Sequence, residues 1–159
     1  MRIGVVSDTH GSHAAMRKVI EKAGTVDLWL HAGDYSYDAD FIRKVTGLPV
    51  WTVAGNCDGR AKDKPHEVIE LEGHRIWLTH GHRDRVKHWG SEALLAQSFN
   101  YGADIVVYGH THRPDIFRST GVLIVNPGSP SEPRSEPFGT FAVIEIQGTE
   151  VEATLVQLD

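Results

Sequence analysis

The sequence predicts an α/β domain in which two mixed β-sheets pack face to face with helices outside. Three observations point there. Short apolar runs end abruptly in polar, glycine-bearing loops. In the first half these runs alternate with amphipathic helical segments, the pattern of parallel β/α units. The final third is rich in strand-like runs separated by turn residues. With 159 residues, 40% of them hydrophobic, the chain has the size and apolar content of one domain with its own core, spanning 1–159.

Ile3-Gly4-Val5-Val6 reads as a buried strand feeding the loop Ser7-Asp8-Thr9-His10-Gly11. Ser12 then caps a helix whose apolar face is Ala15, Met16, Val19, Ile20 and Ala23, and Gly24 stops it. Leu28-Trp29-Leu30 is a second strand, running into His31-Ala32-Gly33-Asp34, with a helix near 40–45 behind it. Val50 to Ala54 is a third, ending at Gly55-Asn56. After Pro65 the texture changes. Residues 67–71 and 75–79 around Gly73 resemble a hairpin, without a clean two-residue turn signal. A helix over 91–101 is expected to turn Ala93, Leu94, Leu95 and Ala96 toward a core before Gly102 ends it. Ile105 to Tyr108 is again a strand, entering Gly109-His110-Thr111-His112. Strands at 122–125, 141–146 and 151–158 follow, with a Pro- and Ser-containing loop over 127–137 between the first two.

Composition restricts the partners. A net charge of -5 repels polymeric nucleic acid and anionic membranes, so any phosphate must be held locally. The single cysteine, Cys57, excludes an internal disulfide framework and fits a reducing compartment, the cytoplasm being the expectation. No charged segment precedes an apolar one at the start, and no apolar run approaches the roughly 18 residues of a membrane helix. The sequence leaves the oligomeric state open, a homo-oligomer included.

Five strand ends carry metal-type side chains: Asp8 and His10, Asp34, Asn56, His80, then His110 and His112. Ligands in open α/β sheets gather at the carboxyl ends of strands, so these distant residues can converge. In extended chain, residues two apart point the same way, so Asp8/His10 and His110/His112 can each present a pair. Gly11, Gly33, Gly55, Gly81 and Gly109 sit beside these positions, where tight backbone turns are expected. Imidazole, carboxylate and amide oxygen together suit borderline or hard divalent ions. Any one piece alone reads more readily as a capped turn or a core histidine than as a ligand; the ordered set of five does not.

Asp8-Thr9-His10, Gly33-Asp34, Gly55-Asn56-Cys57-Asp58, His80-Gly81-His82 and Gly109-His110-Thr111-His112 resemble, in order, the signature of the calcineurin-like metallophosphoesterases. The nearest likeness is to the small YfcE-like phosphodiesterase branch, and Asn126-Pro127-Gly128-Ser129 resembles a further segment of it. The resemblance implies the four-layer αββα sandwich of metallo-dependent phosphatases. It also implies two divalent ions, manganese first, with iron, zinc, nickel and cobalt as alternatives. One ion would sit on Asp8, His10, Asp34 and His112, the other on Asp34, Asn56, His80 and His110, with Asp34 bridging. A hydroxide between the two ions would attack a small phosphodiester, a reaction that two ions about 3.5–4 Å apart can support.

Three residues are the catalytic candidates. Where many members of the family carry a histidine thought to help the leaving group, this chain has Cys57. A neutral thiol is a poor replacement for imidazolium, which favours diesters and activated aryl esters over alkyl monoesters; Cys57 reads otherwise as a small buried spacer. Asp58 is expected to orient a neighbour such as His10. His82 is a proton donor, a phosphate contact, or an exposed loop histidine. His31 reads as structural, while His13, His66, His74 and His88 carry no pattern. Arg60, Arg83 and Arg113 follow motif loops and are candidates for substrate phosphate. Gly33-Asp34-Tyr35-Ser36-Tyr37 also fits the Gly-Asp-x-x-Tyr of purple acid phosphatases. Those enzymes lack a histidine at the place of His10, so Tyr37 is not expected to bind metal. The rival from another class is an interaction scaffold, since the same fold resembles the phosphoesterase-like subunit of the retromer coat.

Overall fold

The computed structural model describes residues 1–35, 37–58 and 64–159. In chain order the elements are β1 (Arg2–Val6), α1 (His13–Ala23), β2 (Leu28–His31), α2 (Tyr37–Thr46), β3 (Val50–Thr52), β4 (His66–Leu71) and β5 (His74–Thr79). They continue with α3 (Val86–Trp89), α4 (Glu92–Tyr101), β6 (Ile105–Val107), β7 (Asp115–Ser119), β8 (Val122–Asn126), β9 (Thr140–Gln147) and β10 (Glu150–Gln157). The strands form two five-stranded sheets, ordered β10-β9-β1-β2-β3 and β4-β5-β6-β8-β7. Each is mixed. Pairs β1–β2, β2–β3, β5–β6 and β6–β8 are parallel, and pairs β1–β9, β9–β10, β4–β5 and β7–β8 are antiparallel.

The alternation of side chains along the strands builds the layers. Ile3, Val5 and Leu30 from one sheet meet Ile76, Leu78, Val107 and Val125 from the other in the core between them. Their neighbours Val6, Trp29 and Phe141 face the other way, onto Met16 and Val19 of α1 and Ile42 of α2. On the far side Trp77, Val106 and Ile124 meet Val86 of α3 and Leu94 of α4. Both faces of each sheet are covered, which is why the central strands read as unbroken apolar runs. The order is helix, sheet, sheet, helix, as expected. Ser12 accepts a hydrogen bond from the Ala15 amide at 3.2 Å and so caps α1, a contact of about 1 kcal/mol.

Several details differ from the sequence expectation. The hairpin β4–β5 closes on a two-residue turn after all, with Glu72 and Gly73 both left-handed (φ 51° and 81°). This is the primed turn that matches strand twist, and Glu72 hid it because glutamate is an unusual occupant. Strand β7 was not expected. It follows Pro114, carries Asp115 and Arg118, and lies at a sheet edge, so no apolar run announces it. Helix α2 begins at Tyr37 rather than near residue 40, and α3 is a single short turn. On α4, Ala96 is exposed, and Ser98 is buried with Leu94, its hydroxyl donating to the Leu95 carbonyl at 2.6 Å. No helix among the described residues is long and apolar enough to cross a membrane.

Candidate metal centre

The site lies where the two sheets meet at the carboxyl ends of their parallel strands. Asp8, Asp34 and Asn56 follow β1, β2 and β3; His80 follows β5, and His110 and His112 follow β6. Cross-sheet hydrogen bonds fix the meeting. His80 Nδ1 donates to the Ala32 carbonyl at 2.7 Å, and the His110 amide donates to Asp8 Oδ2 at 2.9 Å.

One group is tightly drawn: a ligand-type atom from each of Asp8, His10, Asp34 and His112 lies within 4.8 Å of all the others. The arrangement places acceptor against acceptor. His112 Nδ1 donates to the Glu132 carbonyl at 2.7 Å, which leaves a lone pair on Nε2 in the neutral ring. That Nε2 lies 3.3 Å from His10 Nε2 and 3.2 Å from Asp8 Oδ1. Asp8 Oδ1 is buried and has no hydrogen-bond partner, although Oδ2 has two, from Ser7 and His110. A buried carboxylate oxygen without a partner costs stability unless a cation completes it. On the other side, His80 Nε2 is opposite Asn56 Oδ1 at 3.0 Å and Asp34 Oδ1 at 3.4 Å, with the His110 ring 5.0 Å away. Asp34 is shared, since its Oδ2 faces His10 at 3.6 Å. The donor set of Asp8, His10, Asp34 and His112 therefore fits a divalent ion, and Asp34 also faces His80.

Electrostatics follow from this crowding. Burial pushes the Asp8 carboxyl up, but His112, His80 and Ser7 outweigh it and hold it at about 2. Burial, then His80 and Lys87, pull His110 down to about 4, a neutral ring with a lone pair to give. At His112 burial pulls down, but Asp8 and the Glu132 carbonyl outweigh it and the direction is up.

The local backbone is bent to serve the site. Asp8, His10, Asp34, His110 and His112 all have left-handed φ, between 47° and 72°, a conformation that costs non-glycine residues of order 1 kcal/mol each and clusters at functional sites. Glycines beside them act in two ways. Gly33 and Gly81 have positive φ, as expected of tight turns. Gly55 and Gly109 do not; there a Cβ would overlap Asp34 and the Ser7–Asp8 pair respectively, so close approach is what requires glycine.

The catalytic candidates separate. Cys57 is exposed, not a buried spacer, and its amide donates to Asp34 Oδ1 at 2.9 Å. Partial desolvation, then the Asp34 carboxylate, raises its thiol to about 11. Asp58 is buried, and its Oδ2 accepts the Gly55 amide at 2.8 Å. His82 is half-buried beside His80, ring centroids 5.2 Å apart, so it is not an exposed loop residue, and its Nδ1 is buried without a partner. Burial, then His80, pulls its pKa down. His31 is structural, its ring tied to Thr9, Gly33 and Thr52. Tyr37 is 59% exposed and opens α2, whereas Tyr35 packs edge-on against His10 at 5.4 Å. Arg83 and Arg113 are exposed; Arg60 lies outside the described residues.

One contributor carries no motif. Glu132 supplies the carbonyl that orients His112, and its carboxylate lies 3.7 Å from His10. The 126–129 segment is the brace behind the metal loops. Ser129 donates to the Asp8 carbonyl at 2.8 Å, and Asn126 donates to Gly109 and Thr111.

The chain is similar to several known proteins. A model of the calcineurin-like phosphoesterase superfamily domain matches residues 1–149. A probable metallophosphoesterase of Methanothermobacter thermautotrophicus is 32% identical, with 99% of this chain and 92% of that protein covered. The phosphodiesterase YfcE of Escherichia coli is 29% identical over 91% of this chain and 88% of its own. Among solved structures, a predicted phosphoesterase from Streptococcus pneumoniae superposes with a TM-score of 0.83 at 29% identity, covering 98% of this chain and 88% of that one. Vps29 of Entamoeba histolytica complexed with Zn²⁺ superposes with a TM-score of 0.76 at 26% identity and 99% coverage of both chains.

Proposed function

The chain belongs to the calcineurin-like phosphoesterase superfamily, and we propose that within it the chain is a two-ion phosphodiesterase for small substrates. The observation that carries this reading is the shared carboxylate: Asp34 turns Oδ2 toward His10 and Oδ1 toward His80. One ion would be held by Asp8, His10, Asp34 and His112, the other by Asp34, Asn56, His80 and His110. Manganese is the first choice for a set of imidazoles, carboxylates and one amide, with iron, zinc, nickel and cobalt also suited. When bound, the ions would supply Lewis acidity toward the phosphoryl oxygens and lower the pKa of water at the site.

The chain's own residues do the positioning. The carbonyls of Ala32 and Glu132 hold the Nδ1 protons of His80 and His112, so each ring keeps its orientation and its Nε2 lone pair. His82, with a half-buried ring beside His80 and an unpartnered Nδ1, is placed to hydrogen-bond a substrate oxygen. Cys57 puts a thiol, not an imidazolium, at the exposed corner next to Asn56, so leaving groups must depart with little proton assistance. That favours diesters and activated aryl esters. The likeness to Vps29 favours a second reading, an interaction scaffold with little catalysis. The complete set of seven ligand-type residues supports the enzyme.

The test is a substrate screen on chelator-treated and Mn²⁺-reloaded protein, using bis(p-nitrophenyl) phosphate, p-nitrophenyl phosphate and a cyclic nucleotide. The expected result is metal-dependent hydrolysis that is faster for the aryl diester than for the monoester. Absence of metal-dependent turnover on all three would favour the scaffold.

A further inference from the structure

A cleft of about 400 Å³ opens beside the metal loops, lined by Val86, Lys87, Thr111, Arg113 and Arg134. Its three cations come from three separate parts of the chain: α3, the loop after β6, and the loop between β8 and β9. Each part is anchored to the centre. Val86 follows the His80–His82 loop, and its amide donates to the Gly81 carbonyl at 3.2 Å. Thr111 sits between His110 and His112. Arg134 lies two residues beyond Glu132, whose carbonyl holds the His112 ring.

The charge of this cleft is uncompensated. Among the described residues no ion pair involves Lys87, Arg113 or Arg134, and no carboxylate is among the residues lining the cleft. The Thr111 hydroxyl is occupied, taking the Arg113 and Asn126 donors, so it adds no competing preference. In a chain of net charge -5, three unpaired cations around one concavity next to a catalytic centre form a local anion site. A phosphodiester carries a single negative charge, and the metal centre already addresses it. We propose that this cleft receives a second anionic group, a phosphate or carboxylate carried on one arm of the substrate diester, and so selects diesters with a charged arm. The proposal rests on the phosphodiesterase reading.

Two aryl diesters that differ only in the remote charge test it: thymidine 5′-(p-nitrophenyl phosphate) and the same compound bearing a 3′-phosphate. With Mn²⁺-loaded wild type, kcat/KM should favour the 3′-phosphorylated substrate by about tenfold or more, the worth of one charge-assisted hydrogen bond. The preference should shrink with added salt, because the cations are exposed. In Arg113→Ala/Arg134→Ala the ratio should fall toward one, and Arg134→Glu, a change at an exposed loop position, should bring it to one or below. Unchanged melting of both variants excludes misfolding as the cause. A wild-type ratio near one, or a ratio that survives both variants, overturns the proposal. Calorimetric binding of thymidine 3′,5′-bisphosphate against thymidine 5′-monophosphate separates the two readings. A bisphosphate preference that the variants lose, with neither ester hydrolysed, upholds the anion site and refutes the hydrolytic function. Equal hydrolysis of both esters upholds the function and refutes the anion site.

Discussion

Gly55→Ala is a one-methyl change that the structure makes severe. Gly55 does not have a left-handed φ, so alanine meets no backbone penalty there. Its Cβ would, however, fall inside contact distance of the Asp34 side-chain oxygen and backbone nitrogen. The backbone nitrogen cannot retreat, because Asp34 directly follows Gly33 at the end of β2, where the Asp8 amide is bonded to the Gly33 carbonyl. The carboxylate must move, giving up the Cys57 amide at 2.9 Å. That bond to a charged group is worth about 1.5–3 kcal/mol, and forcing a methyl into packed space costs about 1–3 kcal/mol more. A loss of roughly 2.5–6 kcal/mol follows, measured by urea denaturation in the presence of chelator. Because Asp34 serves both ligand groups, Mn²⁺ titration of the same variant should show both ions weakened. A stability within about 0.5 kcal/mol of wild type, with unaltered Mn²⁺ binding, would refute the claim that Gly55 exists to let Asp34 approach.

Three further outcomes are expected. His74 joins the sheets, its Nε2 meeting the Gly148 carbonyl at 2.7 Å and its Nδ1 meeting Asp104 at 2.5 Å, and these contacts raise its pKa above 6.5. Its contribution is therefore full below the unfolded value and lost as pH rises through the folded one, so the stability gap between wild type and His74→Phe in denaturant titrations should narrow from pH 6 to pH 9; a constant gap contradicts this. Cys57→His should raise monoester relative to diester turnover, since the exposed position has room for the ring; an unchanged ratio would leave Cys57 without a role in choosing the leaving group. His82→Ala should keep both ions and slow hydrolysis equally across aryl leaving groups, giving parallel plots of rate against leaving-group pKa, because burial lowers its pKa and leaves a neutral ring. Lines that converge for acidic leaving groups would show instead that His82 transfers a proton.

Much of this was legible in the sequence because the chemistry coincides with local patterns. Asp8, Asp34 and His110 each end an apolar run, and two buried faces produce such runs at β1, β2 and β6. What stayed hidden depends on tertiary contact. Glu132 acts through its backbone carbonyl, which no side-chain pattern encodes. Asp58 serves the Gly55 amide, a partner three residues away that only a tight turn brings back. His74 had no motif because its partners, Asp104 and Gly148, are 30 and 74 residues distant. In the sequence the glycines read as turn residues, yet at Gly55 and Gly109 the need is for space beside a carboxylate, which appears only when two loops meet. Lys87 and Arg134 belong to no motif, and only the fold places them around one cleft with Arg113.

The shared role of Asp34 is the centre of the account, and counting bound metal tests it most directly. Wild type and Asp34→Ala, stripped with chelator, dialysed against Mn²⁺ and analysed for metal per chain, should differ completely: about two ions in wild type, the number of a two-metal site, and neither retained at full occupancy in the variant. An Asp34→Ala protein that folds and still holds both ions would contradict the assignment of Asp34 as the bridge, and with it the two-ion centre proposed for this chain.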